Sequence, residues 1–114
     1  MIDKLRVLGM LGLAAKAGKL TFGADSCKEA IMKNKVKLII LAQDASERTK
    51  TKFIDMANKN NIPIYTISDM DEISKAIGQK NKAIVGIVDL NFSKAIEKII
   101  NGGGGFWVKS KYMK

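Results

Sequence analysis

One short stretch holds the residue types best placed to do chemistry. Gly23, Ala24, Asp25 and Ser26 are followed by Lys28, with Lys16 and Lys19 before them and Lys33, Lys35 and Lys37 after them. A helix starting here would present unpaired backbone N–H groups and a partial positive charge, the means by which helix starts hold phosphate. Gly23 would let the backbone approach a ligand closely. The chemistry this predicts is the gripping of a sugar-phosphate backbone, not the making or breaking of bonds. If four to six of these lysines neutralise phosphates together, affinity should fall with salt on a log–log slope of roughly −3 to −5.

Bond-making chemistry finds little support. Cys27 is the only cysteine and there is no histidine. Cys27 shares an apolar helical stripe with Ala24, Ala30 and Ile31, so a core role is expected rather than a nucleophilic one. A Cys/His metal site and an intramolecular disulfide are both excluded, and cytoplasm is the expected compartment. Asp44 follows an apolar strand, where open α/β folds place functional groups, but a helix cap is the commoner role there. No Walker loop is present, and the glycine tract 102–105 lacks the strand and helix of a dinucleotide fingerprint. No enzyme activity, cofactor or small-molecule substrate is implied.

The net charge of +9 calls for a polyanionic partner. Residues 4–37 carry eight basic side chains against Asp25 and Glu29, whereas residues 38–100 are nearly balanced. Aromatics are few, which argues against base stacking on a sheet face. Lys4 and Arg6 before the apolar run Val7–Ala15 imitate a signal peptide, but Gly9 and Gly12 interrupt the run and it is too short to span a bilayer. A membrane partner is not expected.

The elements that must position the lysines follow from periodicity. Leu5, Leu8 and Leu11, with Val7 and Ala14, predict a first helix stopped by Gly18. A second helix begins near Gly23, where Ser26 and Glu29 fit a capping box. The segment 36–42 reads as a buried central strand. Asp44 or Ser46 caps a helix to about Asn58 with Phe53, Met56 and Ala57 inward. Pro63 opens a strand over 62–67, Ser68 or Asp69 caps a short helix to Gly78, and 83–88 is another buried strand. Asn91 caps a last helix with Phe92, Ala95, Ile96, Ile99 and Ile100 on one face. Helices alternating with strands predict an α/β sheet covered on both faces. Residues 1–100 form one domain; 101–114 are read as a glycine linker and a mobile tail in which Phe106, Trp107 and Tyr112 accompany Lys109, Lys111 and Lys114.

The order and spacing of "LGLAAKAGKL", Gly23, "KVKLIILAQDAS", "NIPIYTI", "DEISKAIG" and "AIVGIVD" resemble the kink-turn-binding ribosomal protein superfamily, the large-subunit "seven-Ae" and "thirty-e" proteins, and most of all its small bacterial YlxQ-type members. The resemblance covers about residues 5–100. It implies a three-layer α-β-α sandwich with a four-stranded mixed sheet. It also implies binding of structured RNA, ribosomal or messenger, in association with the translation machinery; a monomer is expected. The implied contacts are Gly23, Ala24, Asp25 and Ser26 at the second helix, and Gln79, Lys80, Asn81 and Lys82 in the loop before the last core strand. Asp25 and Ser26 stand where ribosomal relatives carry Asn and Glu, Glu29 stands where they carry Lys, and the loop is polar and basic where theirs is apolar. The alternative is a protein-binding adaptor on the same fold.

Overall fold

A computed structural model of the chain describes residues 3–102 and 110–111. Five helices, α1 (Lys4–Lys16), α2 (Ala24–Met32), α3 (Glu47–Asn60), α4 (Met70–Ala76) and α5 (Leu90–Gly102), alternate with strands β1 (Leu20–Phe22), β2 (Leu38–Leu41), β3 (Pro63–Thr66) and β4 (Ile84–Ile87). The four strands form a mixed sheet in the order β1-β4-β2-β3, extended at the β3 edge by the two-residue β5 (Ser110–Lys111). Only β2 and β3 run parallel; β1, β2 and β5 each pair antiparallel with their neighbours β4, β4 and β3.

The expected three-layer sandwich is what forms. Every residue of β2 and β4 is buried, as central strands covered on both faces require. One core joins α1, α4 and α5 to the sheet through Val7, Leu11, Ile40, Tyr65, Ile73 and Ile96. The other joins α2 and α3 through Cys27, Ile31, Ile39, Phe53, Ala57 and Ile64. Gly12 lets α1 press on α4: a Cβ there would stand 2.9 Å from the Ala76 carbonyl oxygen. Tyr65, fully buried, donates its hydroxyl hydrogen to Glu97 on α5.

Helix ends are closed largely as the sequence predicts. Ser46 accepts from the Thr49 N–H at 3.1 Å, and Asp69 accepts from the Glu72 N–H at 2.8 Å. Asp44 holds α4 rather than α3, accepting from the Met70 N–H at 2.8 Å. The last helix is capped by Asp89, which accepts from the Phe92 N–H at 2.8 Å, and not by Asn91. Helices α1 to α4 all stop in the same way, with Gly18, Asn34, Asn61 or Gly78 in the left-handed region and paired hydrogen bonds back into the last turn. Leu5, expected on the buried stripe of α1, is 78% exposed, because Val7, Leu8, Leu11 and Ala14 already fill that face. Gly102 closes α5; the rest of the expected linker and the tail aromatics lie outside the described residues.

The topology gives the molecule two distinct ends. Helices α2, α3 and α4 all begin where β1, β2 and β3 finish and β4 starts, which we call the helix-start end. Helices α1, α2 and α3 all finish at the opposite end, where β2 begins and β4 ends.

Candidate nucleic-acid interface

Gly23 is the pivot of the helix-start end. Its φ of 85° and ψ of 155° lie in a region that is essentially glycine's alone. That turn delivers β1 directly into α2. The Gly23 N–H donates to the Ile84 carbonyl at 3.0 Å, and the Gly23 carbonyl accepts from the Cys27 N–H at 3.0 Å. No side chain caps α2. The expected capping box does not form, because Gly23 takes the cap position and Ser26 already lies within the first turn. Glu29 instead faces Lys33 at 3.8 Å. The first N–H groups of a helix have no intrahelical partner, so the start of α2 presents donors to whatever approaches.

The loop before β4 brings a cation to those donors. The Lys82 Nζ sits 5.5 Å from the centroid of the Phe22 ring. It is also 3.9 Å from where a Cβ on Gly23 would lie. A buried hydroxyl fixes this loop: Ser74 accepts from the Lys82 N–H at 2.8 Å and donates to the Lys82 carbonyl at 3.3 Å. Gln79, Lys80 and Asn81 then line a cleft of about 430 Å³ together with Asp44, Met70 and Asp71. Phe22 and Ser74 were not singled out by the sequence reading. The position of Phe22 just before Gly23 could have marked it; nothing in the sequence marks Ser74.

Carboxylates share this end. Asp25 and Glu47 lie in the first turns of α2 and α3, and Asp71 and Glu72 in that of α4. The Ser68 hydroxyl, donating at 2.6 Å, and then the Lys4 ammonium at 3.0 Å hold the Glu72 carboxyl below its ordinary range. Cys27 is fully buried, and burial pushes its thiol up to about 12. It is a core residue, unsuited to nucleophilic work.

The residues singled out in the sequence therefore fall into two groups. Gly23 meets Lys82 directly; Ala24, Asp25 and Ser26 follow it as the exposed first turn of α2, Gln79, Lys80 and Asn81 belong to the loop that carries Lys82, and Lys28 lies on the exposed face of α2. Lys16, Lys19, Lys33, Lys35 and Lys37 are at the other end of the sheet. The nine residues of α2 put roughly 13 Å between the groups. Lys16 and Lys19 precede Gly23 in sequence, but β1 carries the chain from one end to the other between them. Among the described residues no cluster of His, Cys, Asp and Glu could hold a metal, and no helix is long and apolar enough to cross a membrane.

Comparison with known proteins agrees with this architecture. Residues 6–97 match the ribosomal protein L7Ae/L30e/S12e/Gadd45 family. The chain is 34% identical over 100 residues to the RNA-binding protein YlxQ of Enterococcus faecium, covering 88% of this chain and 96% of that one. It is 27% identical over 92 residues to the RNA-binding protein YlxQ of Bacillus subtilis, covering 81% and 92% respectively. A solved structure from Bacillus halodurans, described as a protein of unknown function, superposes with a TM-score of 0.81 at 31% identity, over 84% of this chain and 97% of that one.

Proposed function

The chain belongs to the ribosomal protein L7Ae/L30e/S12e/Gadd45 family, and on that premise we propose that it is a non-enzymatic RNA-binding protein that takes structured, kink-turn-like RNA at its helix-start end. A kink-turn is a helix–bulge–helix element with tandem sheared G·A pairs. The observation that carries the reading is the junction of Gly23 with Lys82. A phosphate seated there would accept from the uncapped N–H groups of α2 and lie beside an ammonium already held over Phe22. Gln79 and Asn81 offer amides, which both donate and accept and so can read base edges. The RNA would be ribosomal or messenger, met by a monomer working with the translation machinery.

The adaptor alternative calls for a contiguous exposed apolar face. The large apolar side chains exposed among the described residues are Leu5 and Leu13 on α1, Met32 on α2 and Leu90 on α5, spread over three helices. The test is a titration of the chain with a kink-turn hairpin and with a plain duplex of equal length. Tighter binding to the hairpin, weakened about fivefold to tenfold by Lys82→Ala, is expected, the scale of about 1–1.4 kcal/mol. Equal affinity for both RNAs, unchanged by Lys82→Ala, would remove the site.

A further inference from the structure

A second group of cations stands at the end of the molecule that the proposed site does not use. Lys16 closes α1, Lys19 follows it, Lys35 follows α2, and Lys37 leads into β2. All are exposed, and among the described residues none has an ion-pair partner. Their backbones are woven into one place. The Lys37 N–H donates to the Ile87 carbonyl at 2.7 Å, and the Lys19 carbonyl accepts from the Val88 N–H at 2.9 Å. The Ser93 hydroxyl donates to the Lys37 carbonyl at 3.3 Å, which brings the exposed Lys94 to the same end.

A cleft of about 290 Å³, of whose lining Lys37 is part, opens at this end between the ends of α2 and α3. Ile31, Val36 and Ile62 make an apolar floor, and the half-exposed Leu90 stands on its rim. Lys37 and the amides of Asn34 and Asn61 also face it. The side chains of Asn34 and Asn61 are exposed and have no hydrogen-bond partner among the described residues. The left-handed backbone at both positions, with φ of 59° and 55°, is set by the helix stops. An apolar slot with a few convergent amides beside a row of cations has the chemistry to take one unstacked base while phosphates track the lysines.

We propose that this basic pole is a second RNA-binding surface, specific for single-stranded RNA, so that one chain holds a structured element and a single strand at its two ends. The proposal rests on RNA as the partner class but not on the helix-start site. Charge complementarity selects a polyanion, and the base-sized slot selects a nucleic acid over an acidic protein. The lysines do not require the strand to have any particular sequence.

The test uses the full chain and a labelled oligouridylate of about twelve nucleotides. It should bind to chain already saturated with a kink-turn hairpin. The combined substitution Lys19→Ala, Lys35→Ala, Lys37→Ala should weaken the oligouridylate at least about tenfold. It should also make its log–log salt slope shallower by about 2, at about 0.7 per lost phosphate contact. Hairpin affinity should stay within about twofold. The same three positions changed to Arg should keep oligouridylate binding, which separates charge from misfolding. Asn34→Gly with Asn61→Gly keeps the left-handed turns and should abolish the preference for oligouridylate over an abasic strand of equal length. Displacement of oligouridylate by hairpin, an unchanged affinity in the alanine variant, or equal binding of a poly-glutamate peptide would each overturn the proposal. If the hairpin itself fails to bind, the helix-start reading falls, while the direct oligouridylate titrations still decide the pole.

Discussion

At the end where α2, α3 and α4 begin, carboxylates stand in the first turns: Asp25, Glu47, Asp71 and Glu72. At the other end, where α1, α2 and α3 finish, stand Lys16, Lys19, Lys35 and Lys37. The carboxylates, and Lys16 in the last turn of α1, complement the helix dipoles and stabilise their helices by about 0.3–1 kcal/mol for each well-placed charge. Folding alone can thus account for the carboxylates and for Lys16, but not for Lys19, Lys35 and Lys37, which lie beyond the last turns of their helices. Recognition then has to work differently at the two. The helix-start end has mixed charge and must rely on donors fixed in place by Gly23, Phe22 and Ser74. The basic pole has a net field and can attract a polyanion from a distance, with little geometry.

The largest expected effect tests whether the two ends are separate. Gly23→Ala puts a Cβ into a backbone conformation that costs about 1–3 kcal/mol for any other residue. The melting temperature should drop, and the start of α2 should shift away from Lys82. Kink-turn binding should be lost or cut at least about tenfold, while oligouridylate binding persists in the folded fraction. Equal loss of both would show that the two ends act as one surface.

Next comes salt. If four to six of the lysines of residues 16–37 met one RNA, the hairpin slope would be roughly −3 to −5. If the hairpin instead meets only Lys28, Lys80 and Lys82 among the cations of the helix-start end, the slope should be about −2 to −3. Titrations of the hairpin across a salt series read this directly, and a slope steeper than about −4 would put the basic pole in contact with the same RNA.

These two predictions depend on a division that the linear sequence concealed. The central strand β2, the apolar face of α5 and the caps Ser46 and Asp69 were legible because each is a local pattern of burial or turn chemistry. Strand β1 was not: it has three residues, all half-buried, too few for any period to appear. Missing β1 made Lys16 and Lys19 look adjacent to the start of α2, although the strand carries them to the opposite end. Ser26 and Glu29 matched a capping template, but the backbone of Gly23 had already started the helix. The meeting of Gly23 with Lys82 joins residues far apart in the chain, so only the family resemblance pointed to it.

A smaller effect sharpens what the helix-start end reads. Asp25 is exposed in the first turn of α2, and its carboxylate accepts hydrogen bonds but cannot donate. Asp25→Asn supplies an NH₂ group and removes repulsion of phosphate, at the loss of about 0.3–1 kcal/mol of dipole stabilisation. Kink-turn binding should tighten by about 1 kcal/mol, the scale of one hydrogen bond to a neutral partner. A plain duplex should gain less. Equal gains on both would leave charge alone as the cause, and no gain on either would take Asp25 out of the interface.

The smallest expected effect concerns acid. Glu72 is held below its ordinary value, 4.5, first by the Ser68 hydroxyl and then by Lys4. A carboxyl depressed on folding contributes stability that is fully present above its unfolded pKa and is lost as pH falls through the lower folded value. Acidification below about 4.5 should therefore loosen the Lys4–Glu72–Ser68 cluster that ties the start of α1 to the start of α4. The carboxyl is solvent-exposed, so the effect is a modest one. Glu72→Gln removes the titration and should flatten the acid limb of stability against pH while costing little near neutrality. Hydrogen exchange of the first amides of α4 reads it locally: in the native chain their protection should fall with acid before that of the amides near Lys37. Simultaneous loss at both ends would mean that acid acts on the whole fold, with no part of the helix-start end responding first.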